Sequence, residues 1–347
     1  MRFSRTVIET PVAVLPPNIV TSLELEERLA PVYDSIGLRA GRLELMTGIR
    51  ERRFWNQGTL PSEIAAEAGR RALVEAGVCP AEINCLINCS VSRDCVEPAT
   101  STFVHRLLGL PPDALNYDIS NACLGVASGI LTLASMIEAG LIDTGLAVSG
   151  ENAGPLVNNT VSHLNSGTFT RKTIKPHFAS LTIGSCATAV IVRKCEPETS
   201  GHRLLAAATV SDTSGNSLCK GDANGGMTDG SAPLMQTDSP ELLQAGVRLA
   251  KEMWRKLKDE TGWSDDSPSL ICTHQVGKGH RSLLYETLGL DLAKDYSTYP
   301  FLGNCGSASL TATLALAAQN RPLASGTDVA LLGIGSGINC CGLAIKW

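Results

Sequence analysis

One of the twelve cysteines in the sequence stands at the predicted start of a helix. Cys123 follows the polar run 118–121 and precedes a long series of small and apolar residues. The first turn of a helix presents unpaired N–H groups and partial positive charge, which lower the pKa of a thiol placed there. Because the thiolate is the nucleophilic form, Cys123 is a candidate for covalent catalysis. The alternative is that Cys123 packs among its small neighbours, as free cysteines commonly do.

Two polar residues of the second half are candidates to act with this thiol. His274 ends a short apolar run that predicts a buried strand, and α/β folds collect functional groups at strand ends. His163 and His280 are equally available by residue type, and a histidine at a strand end can also be a purely structural hydrogen-bonding residue. Asn304 lies in a glycine-rich turn that opens a second small-residue helix. If the two helix-opening turns face each other, Cys123 and Asn304 share one pocket.

A carboxylate and a glycine-rich turn complete the set of candidates. Glu97 lies in a predicted loop just before Pro98, where it is either a general base or an ordinary solvated carboxylate. Near the C-terminus, Ser336 stands among three glycines between two apolar runs. This turn lacks the Lys-Ser/Thr pair of a phosphate-binding loop, which argues against a nucleotide site. Its backbone N–H groups are suited to an oxyanion instead.

Composition narrows the range of functions. The 347 residues carry a formal net charge of −5, so there is no basic surplus for nucleic-acid binding. No apolar run is long enough for a membrane-spanning helix, and membrane contact, if any, should be peripheral. The cysteines are scattered and follow no secretory signal, which indicates a reduced, cytoplasmic protein. No metal site is expected, because the cysteine pairs 85/89 and 340/341 lie in apolar runs typical of a core.

The elements that position these candidates recur along the chain. Three blocks of the first half reappear in the same order in the second: 83–92 with 268–277, 120–130 with 303–312, and 181–192 with 331–345. Helices are predicted over 61–76 and 239–260, each before a buried strand. The spacing of the third block implies an insertion near 151–180, which we interpret as a polar loop. The glycine-rich stretch 200–230 predicts a linker, so the halves are placed at 1–199 and 200–347.

Five short motifs, taken together, resemble those of a known enzyme superfamily. They are Thr47-Gly-Ile-Arg-Glu-Arg-Arg53, Asn121-Ala-Cys-Leu-Gly, Thr273-His-Gln-Val, Gly303-Asn-Cys-Gly-Ser-Ala-Ser and Gly333-Ile-Gly-Ser-Gly. In this order they resemble the thiolase-superfamily condensing enzymes of the ketoacyl-ACP synthase III type. Segments 90–101 and 331–340 are most similar to the branch that joins two fatty acyl-CoA molecules head to head. The resemblance implies an α/β, thiolase-like fold of two pseudo-duplicated lobes in a five-layered α-β-α-β-α arrangement.

The same resemblance implies a role for each candidate residue. Cys123 matches the acylated nucleophile, and His274 with Asn304 matches the pair that binds the thioester oxygen of the second substrate. The backbone groups of Cys123 and Ser336 match the oxyanion site. Glu97 matches a base that reaches into the active site of the partner subunit in a homodimer.

The implied reaction is a Claisen condensation of two fatty acyl-CoA thioesters, without decarboxylation, to a 2-alkyl-3-ketoacyl product. A carboxylate base such as Glu97 favours this reaction, because an unactivated thioester must lose an α-proton. CoA thioesters would be substrates, with no separate cofactor, and enzymes of a downstream pathway would be further partners. Three alternatives stay open: a decarboxylating synthase that uses malonyl-ACP, a non-catalytic subunit of a heterodimer, and a cysteine hydrolase.

Overall fold

A computed structural model of the chain describes residues 1–196, 201–221 and 233–347. Short strands and helices alternate along most of the described chain. The strands are β1 Thr6–Ile8, β2 Val12–Val14, β3 Asn18–Thr21, β4 Glu51–Phe54, β5 Cys85–Asn88, β6 Leu115–Asp118, β7 Thr144–Glu151, β8 Cys186–Lys194, β9 His202–Ser211, β10 Cys219–Gly221, β11 Met235–Thr237, β12 Leu270–Thr273, β13 Asp328–Gly335 and β14 Asn339–Lys346. The helices are α1 Ser22–Arg28, α2 Ala30–Ser35, α3 Arg42–Thr47, α4 Pro61–Ala76, α5 Thr100–Leu108, α6 Gly125–Glu138, α7 Gly154–Ser166, α8 Ser239–Thr261, α9 Lys278–Leu288, α10 Tyr299–Leu302 and α11 Ser309–Asn320.

Ten strands form one mixed sheet in the order β12-β13-β14-β9-β1-β8-β7-β5-β6, with β2 also paired to β8. Strand β1 joins the two halves, because it pairs antiparallel with β8 on one side and with β9 on the other. The outer strands of each half run parallel, β5 with β6 and β7, and β12 with β13. The C-terminal ends of β5 and β12 therefore carry loops on which functional groups can collect.

Three hydrophobic cores show that helices cover both faces of each half of the sheet. Alternate residues of the strands point to opposite faces, so that Ile87 packs inward and Leu86 outward. The inner core contains α6, α11 and side chains from both halves of the sheet. The outer cores place α4 and α5 on the first half, and α8 and α9 on the second. The order of layers is α-β-α-β-α, as expected for the thiolase-like fold.

Two predicted helices are confirmed by their end signals. Helix α4 has Pro61 at its first position, and the Glu63 carboxylate accepts a 3.0 Å hydrogen bond from the N–H of Leu60. Helix α8 begins after Asp238, whose side chain accepts from the N–H of Glu241. Both helices end at a glycine in the left-handed conformation. The predicted ranges of 61–76 and 239–260 therefore match the observed helices, with one residue added to α8.

In its described part, 201–221, the stretch 200–230 does not begin as the linker that its glycines predict. Residues His202–Ser211 form β9, a ten-residue strand that pairs with β14 over most of its length. The run Leu204 to Ala208 is apolar enough to bury both faces, and this buried pairing outweighs the turn signals that follow it. The predicted boundary between residues 199 and 200 involves residues 197–200, which lie outside the described residues.

The insertion at 151–180 is also not a loop. Helix α7 occupies Gly154–Ser166, and a 3-10 helix follows at Lys175–Thr182. Val157, Val161 and Leu164 lie four and three residues apart, so they share one face of α7. That face packs on a core formed with α1, α2 and α3. The polar residues between them hid this helical period.

The repeated blocks correspond to repeated structure. In each half a buried parallel strand is followed by a 3-10 turn that opens a small-residue helix, Ala122–Leu124 before α6 and Gly306–Ala308 before α11. Among the described residues, no helix is both long and apolar enough to cross a membrane.

Candidate active site

Cys123 lies on a sharply bent turn. Ala122, the residue before it, has a φ of +43°, a left-handed conformation that residues with a Cβ rarely adopt. The 3-10 turn Ala122–Leu124 then leads directly into α6. Gly125 permits this arrangement, because a Cβ there would overlap the carbonyl oxygen of Cys89 and lie 3.1 Å from the Cβ of Ser307. The turn is therefore held tightly between the end of β5 and the second half of the molecule.

The thiol of Cys123 does not have the lowered pKa expected for a helix start. Burial raises its pKa to about 12, and the nearby charges of Glu151 and Cys219 act in the same direction. The backbone N–H of Cys123 lowers the pKa, but by less. The helix-terminus effect is thus outweighed by desolvation of the thiolate. At neutral pH Cys123 is therefore present as a thiol.

His274 and Asn304 lie together in the second half. His274 follows β12, and its Nε2 is 3.3 Å from Oδ1 of Asn304. The same oxygen accepts a 3.0 Å hydrogen bond from the N–H of Gly306, which orients the amide. The backbone of Asn304 is fixed as well, since its N–H donates to Thr182 and its carbonyl accepts from Gly184, both at 2.9 Å. With Oδ1 occupied, the Nδ2 group is left to donate to a ligand.

Two histidines lie here, His274 of the pair and His280 beside it, and both are neutral at physiological pH. Burial lowers the pKa of His274 to about 4, although its contacts with Asn304 and Ile334 oppose the shift. His280, on α9, packs edge-to-face on His274 with ring centroids 6.0 Å apart, and burial lowers its pKa to about 3. A neutral imidazole can donate a hydrogen bond without adding charge to the site. His280 therefore lies beside His274, and it is His274 that contacts Asn304.

The two helix-opening turns face each other, as the repeat predicts. The turn Ala122–Leu124 packs against the turn Gly306–Ala308. The glycine-rich turn containing Ser336 is linked to the same place, since the Nδ2 of Asn339 donates to Oδ1 of Asn121 at 3.2 Å and lies 3.5 Å from the carbonyl oxygen of Ser336. Cys123, the His274–Asn304 pair and the Ser336 turn are thus gathered from distant parts of the sequence.

Glu97 is the exception among the predicted site residues. It lies in the exposed loop between β5 and α5, and the described residues offer its side chain no hydrogen bond or ion pair. Val91 and Val96 of the same loop are 56% and 63% exposed. Within one chain, Glu97 is therefore separated in environment from the buried site residues.

A buried carboxylate next to the site, Glu151, is not among the residues predicted from the sequence. Glu151, the last residue of β7, is 5% exposed and accepts hydrogen bonds from Val91, Ser92 and Ser307. The position of Glu151 at the end of a strand is the available signal, but the spacing of the repeated blocks places residue 151 at the start of the predicted insertion. In the described part of the chain, no group of three His, Cys, Asp or Glu side chains is arranged to hold a metal ion.

Known proteins with the same arrangement identify the family. A family model for the C-terminal part of 3-oxoacyl-(acyl-carrier-protein) synthase III matches residues 259–347. The acyl-CoA:acyl-CoA alkyltransferase of Shewanella oneidensis is 38% identical over 350 residues, which cover 100% of both chains. The chain belongs to the acyl-CoA:acyl-CoA alkyltransferase family.

Further members of the alkyltransferase family agree in sequence and structure. The alkyltransferase of Xanthomonas campestris is 34% identical over 331 residues, or 95% of each chain. A crystal structure of a variant of OleA from the same organism, with bound lauric acid and lauroyl-CoA, has a TM-score of 0.92 at 33% identity. It covers 99% of this chain and 100% of that one. The thiolase-type fold therefore extends over the whole chain.

Proposed function

We propose that this chain condenses two fatty acyl-CoA molecules head to head, without decarboxylation, through an acyl-Cys123 intermediate. The observation that carries the proposal is the meeting of the Cys123 turn with the His274–Asn304 pair at the centre of the molecule. Relatives named for acyl-CoA alkyl transfer, matched over the full chain, support the same reaction.

The first half-reaction is transfer of an acyl group to Cys123. The Cys123 sulfur attacks the thioester carbonyl, the carbon–sulfur bond to CoA breaks, and the thiol proton leaves with CoA as its thiol. The raised pKa of Cys123 means that this proton is held until the substrate arrives. Backbone N–H groups of Cys123 and Ser336 would stabilise the transient oxyanion, since donors fixed in a dry site need no reorganisation.

The second half-reaction forms the carbon–carbon bond. Glu97 removes an α-proton from the second acyl-CoA. The enolate oxygen that forms would replace Oδ1 of Asn304 as the acceptor for His274 Nε2 and would also accept from the Nδ2 of Asn304. The α-carbon attacks the acyl carbonyl on Cys123, the carbon–sulfur bond to Cys123 breaks, and the leaving thiolate takes up the proton that Glu97 removed. The product is a 2-alkyl-3-ketoacyl thioester, and hydrolysis of that thioester gives the β-keto acid.

A homodimer would bring Glu97 to the site that needs it. Glu97 stands on an exposed loop beside the exposed Val91 and Val96, and β6 is an edge strand with one unpaired side. Leu115 at the start of β6 is 51% exposed. An apolar loop and an open strand edge on one half of the molecule are suited to contact with a second copy.

The remaining parts of the proposal follow from the substrates. CoA thioesters enter as substrates, and the chemistry above uses no further cofactor. The reaction suits a cytoplasmic protein with at most peripheral membrane contact, which passes its product to downstream enzymes.

The direct test is incubation with lauroyl-CoA and mass analysis of the products. We expect a condensed β-keto product or the ketone formed by its decarboxylation. Release of lauric acid alone would indicate a hydrolase, and product formation only with malonyl-ACP would indicate the decarboxylating alternative. No turnover without a second, different chain would indicate the heterodimer subunit.

Glu97→Gln separates the two condensing reactions. If Glu97 is the base, condensation should fall about 10² to 10⁴-fold while Cys123 acylation is retained. Asp113→Asn, which neutralises another exposed carboxylate, is the matched control and should be unaffected. Undiminished condensation by Glu97→Gln would refute the non-decarboxylative proposal.

Mixed dimers test the cross-subunit placement. Cys123→Ser and Glu97→Gln chains should each condense far more slowly than the wild-type chain, but a mixed dimer would contain one site with an intact Cys123 and a Glu97 from its partner. Mixing should therefore restore part of the activity. Absence of restoration, with subunit exchange verified, would place Glu97 in its own chain's site.

A further inference from the structure

Glu151 is a buried carboxylate that joins two parts of the site. Among the described residues, no cation forms an ion pair with it. Its charge is instead compensated by hydrogen-bond donors, as burial of a carboxylate requires. Oε1 accepts from the N–H of Val91 at 2.9 Å and from the N–H and hydroxyl of Ser307 at 3.2 and 2.9 Å. Oε2 accepts from the N–H and hydroxyl of Ser92 at 3.1 and 3.0 Å.

The donors come from the two segments whose relative position matters for condensation. Val91 and Ser92 begin the loop that carries Glu97. Ser307 follows Asn304 by three residues and belongs to the turn that faces Cys123. One side chain thus fixes the base of the Glu97 loop against the turn of the enolate-binding amide.

The carboxylate of Glu151 is closely surrounded, and both of its oxygens act as hydrogen-bond acceptors. A Cβ at Gly306 would lie 3.2 Å from both Cδ and Oε1 of Glu151, so the turn passes directly over the carboxylate. Each oxygen faces at least two donors, whereas a glutamine would present an NH₂ group to one of those pairs. The arrangement therefore favours a carboxylate, whose two oxygens can both accept, over a glutamine side chain of the same size.

We propose that Glu151 is a positioning residue for carbon–carbon bond formation, which holds the Glu97 loop and the Asn304 turn in one geometry around Cys123. The inference deepens the proposed function and rests on it. Glu151 touches neither substrate nor reacting atoms in this role; it acts through the backbone of the two segments. Its charge also has a separate effect, since it raises the pKa of the Cys123 thiol.

Glu151→Gln tests the inference, with Glu138→Gln as the matched control. Glu138, at the far end of α6, also accepts several hydrogen bonds, including those from the N–H groups of Ser4 and Arg5 at 2.9 and 2.6 Å. The control therefore disrupts a similar network away from the site. Lauroyl-CoA is the probe, and acylation of Cys123 is followed by mass spectrometry separately from condensation.

We expect Glu151→Gln to lower the condensation rate about tenfold or more and acylation by less than about threefold, because positioning acts on the second step. The pH profile of Cys123 alkylation by iodoacetamide should also shift to lower pH, since a charge that disfavours the thiolate is gone. Glu138→Gln should change neither the ratio of the condensation rate to the acylation rate nor the pH profile of Cys123 alkylation. Equal loss of both half-reactions in Glu151→Gln would mean a merely structural role and overturn the inference.

Ser307→Ala keeps the test decisive if Glu151→Gln does not fold. It removes one hydroxyl donor and leaves the carboxylate, so it should reduce condensation about threefold relative to acylation; an unchanged ratio would count against the inference. The proposed function fails separately, if the wild-type enzyme gives no condensed product. The pH profile of Cys123 alkylation needs no acyl-CoA, so it tests the effect of the Glu151 charge on the Cys123 thiol whether or not condensed product is formed.

Discussion

The two helix-opening turns have the same architecture but place their cysteines in different environments. Each is a 3-10 turn that leads into an inner helix, and each has a cysteine in or beside it. Cys123 in the first turn is partly exposed, whereas Cys305 beside the second is 2% exposed. Contact with Cys186 and burial hold the pKa of Cys305 well above its usual range. The difference teaches that a repeated frame does not repeat the environment of its thiol, so we expect Cys123 to be the thiol of the two that a substrate can reach.

The largest expected effect comes from exchanging serine for each of these cysteines. Cys123→Ser should lower condensation at least about a thousandfold and abolish the acyl adduct, because it removes the nucleophile. Cys305→Ser, the matched variant of the second turn, should retain the adduct. Intact-protein mass spectrometry after incubation with lauroyl-CoA measures both, and an adduct mapped to Cys305 or Cys186 would reverse the assignment.

The second half should matter mainly after acylation. Alanine at His274 or Asn304 removes a donor to the enolate oxygen, so each should lower condensation about a hundredfold, the scale of one oxyanion donor. Acylation of Cys123 should remain measurable in both variants. Rapid-mixing assays that follow CoA release and condensed product separately distinguish these steps. If the two steps fell in parallel, the division of labour between the halves would be wrong.

The smallest expected effect concerns the way burial keeps both halves of the site uncharged. Burial raises the pKa of Cys123 but lowers the pKa of His274 to about 4 and that of His280 to about 3. In the unfolded chain these histidines gain protons near pH 6.5, while in the folded chain they stay neutral to lower pH. Stability should therefore be highest above pH 7 and fall as pH decreases, by about 1 kcal/mol per pH unit per histidine between pH 6 and 5.

Urea unfolding at pH 7.5, 6 and 5 measures this dependence. His280→Asn, which removes one of the histidines whose pKa is lowered by burial, should show a shallower decline than the wild-type chain. A urea midpoint that does not move between pH 7.5 and 5 would show that the histidines are not buried as described.

Local signals were sufficient for several elements. Pro61, Glu63 and the glycine at 77 delimit α4 by themselves, because caps act within a few residues of a helix end. Buried strands and the repeat were also legible, since a strand buried on both faces is a short continuous apolar run in the sequence. The glycines after 211 and the polar residues of 154–166 misled, because β9 and α7 are stabilised by partners distant in the chain.

The candidate residues Cys123, His274, Asn304, Glu97 and Ser336 could be selected from the sequence because their types and motifs are local properties. The roles of these residues stay predictions. The packing of the two turns against each other depends on β1 and the inner helices, which are distant in the sequence. The raised pKa of Cys123 and the part played by Glu151 depend on burial and on donors from residues 91, 92 and 307. Desolvation and hydrogen-bond geometry arise only when distant segments meet. The sequence by itself determined which groups are available, and the tertiary structure decided which are exposed, charged and held together.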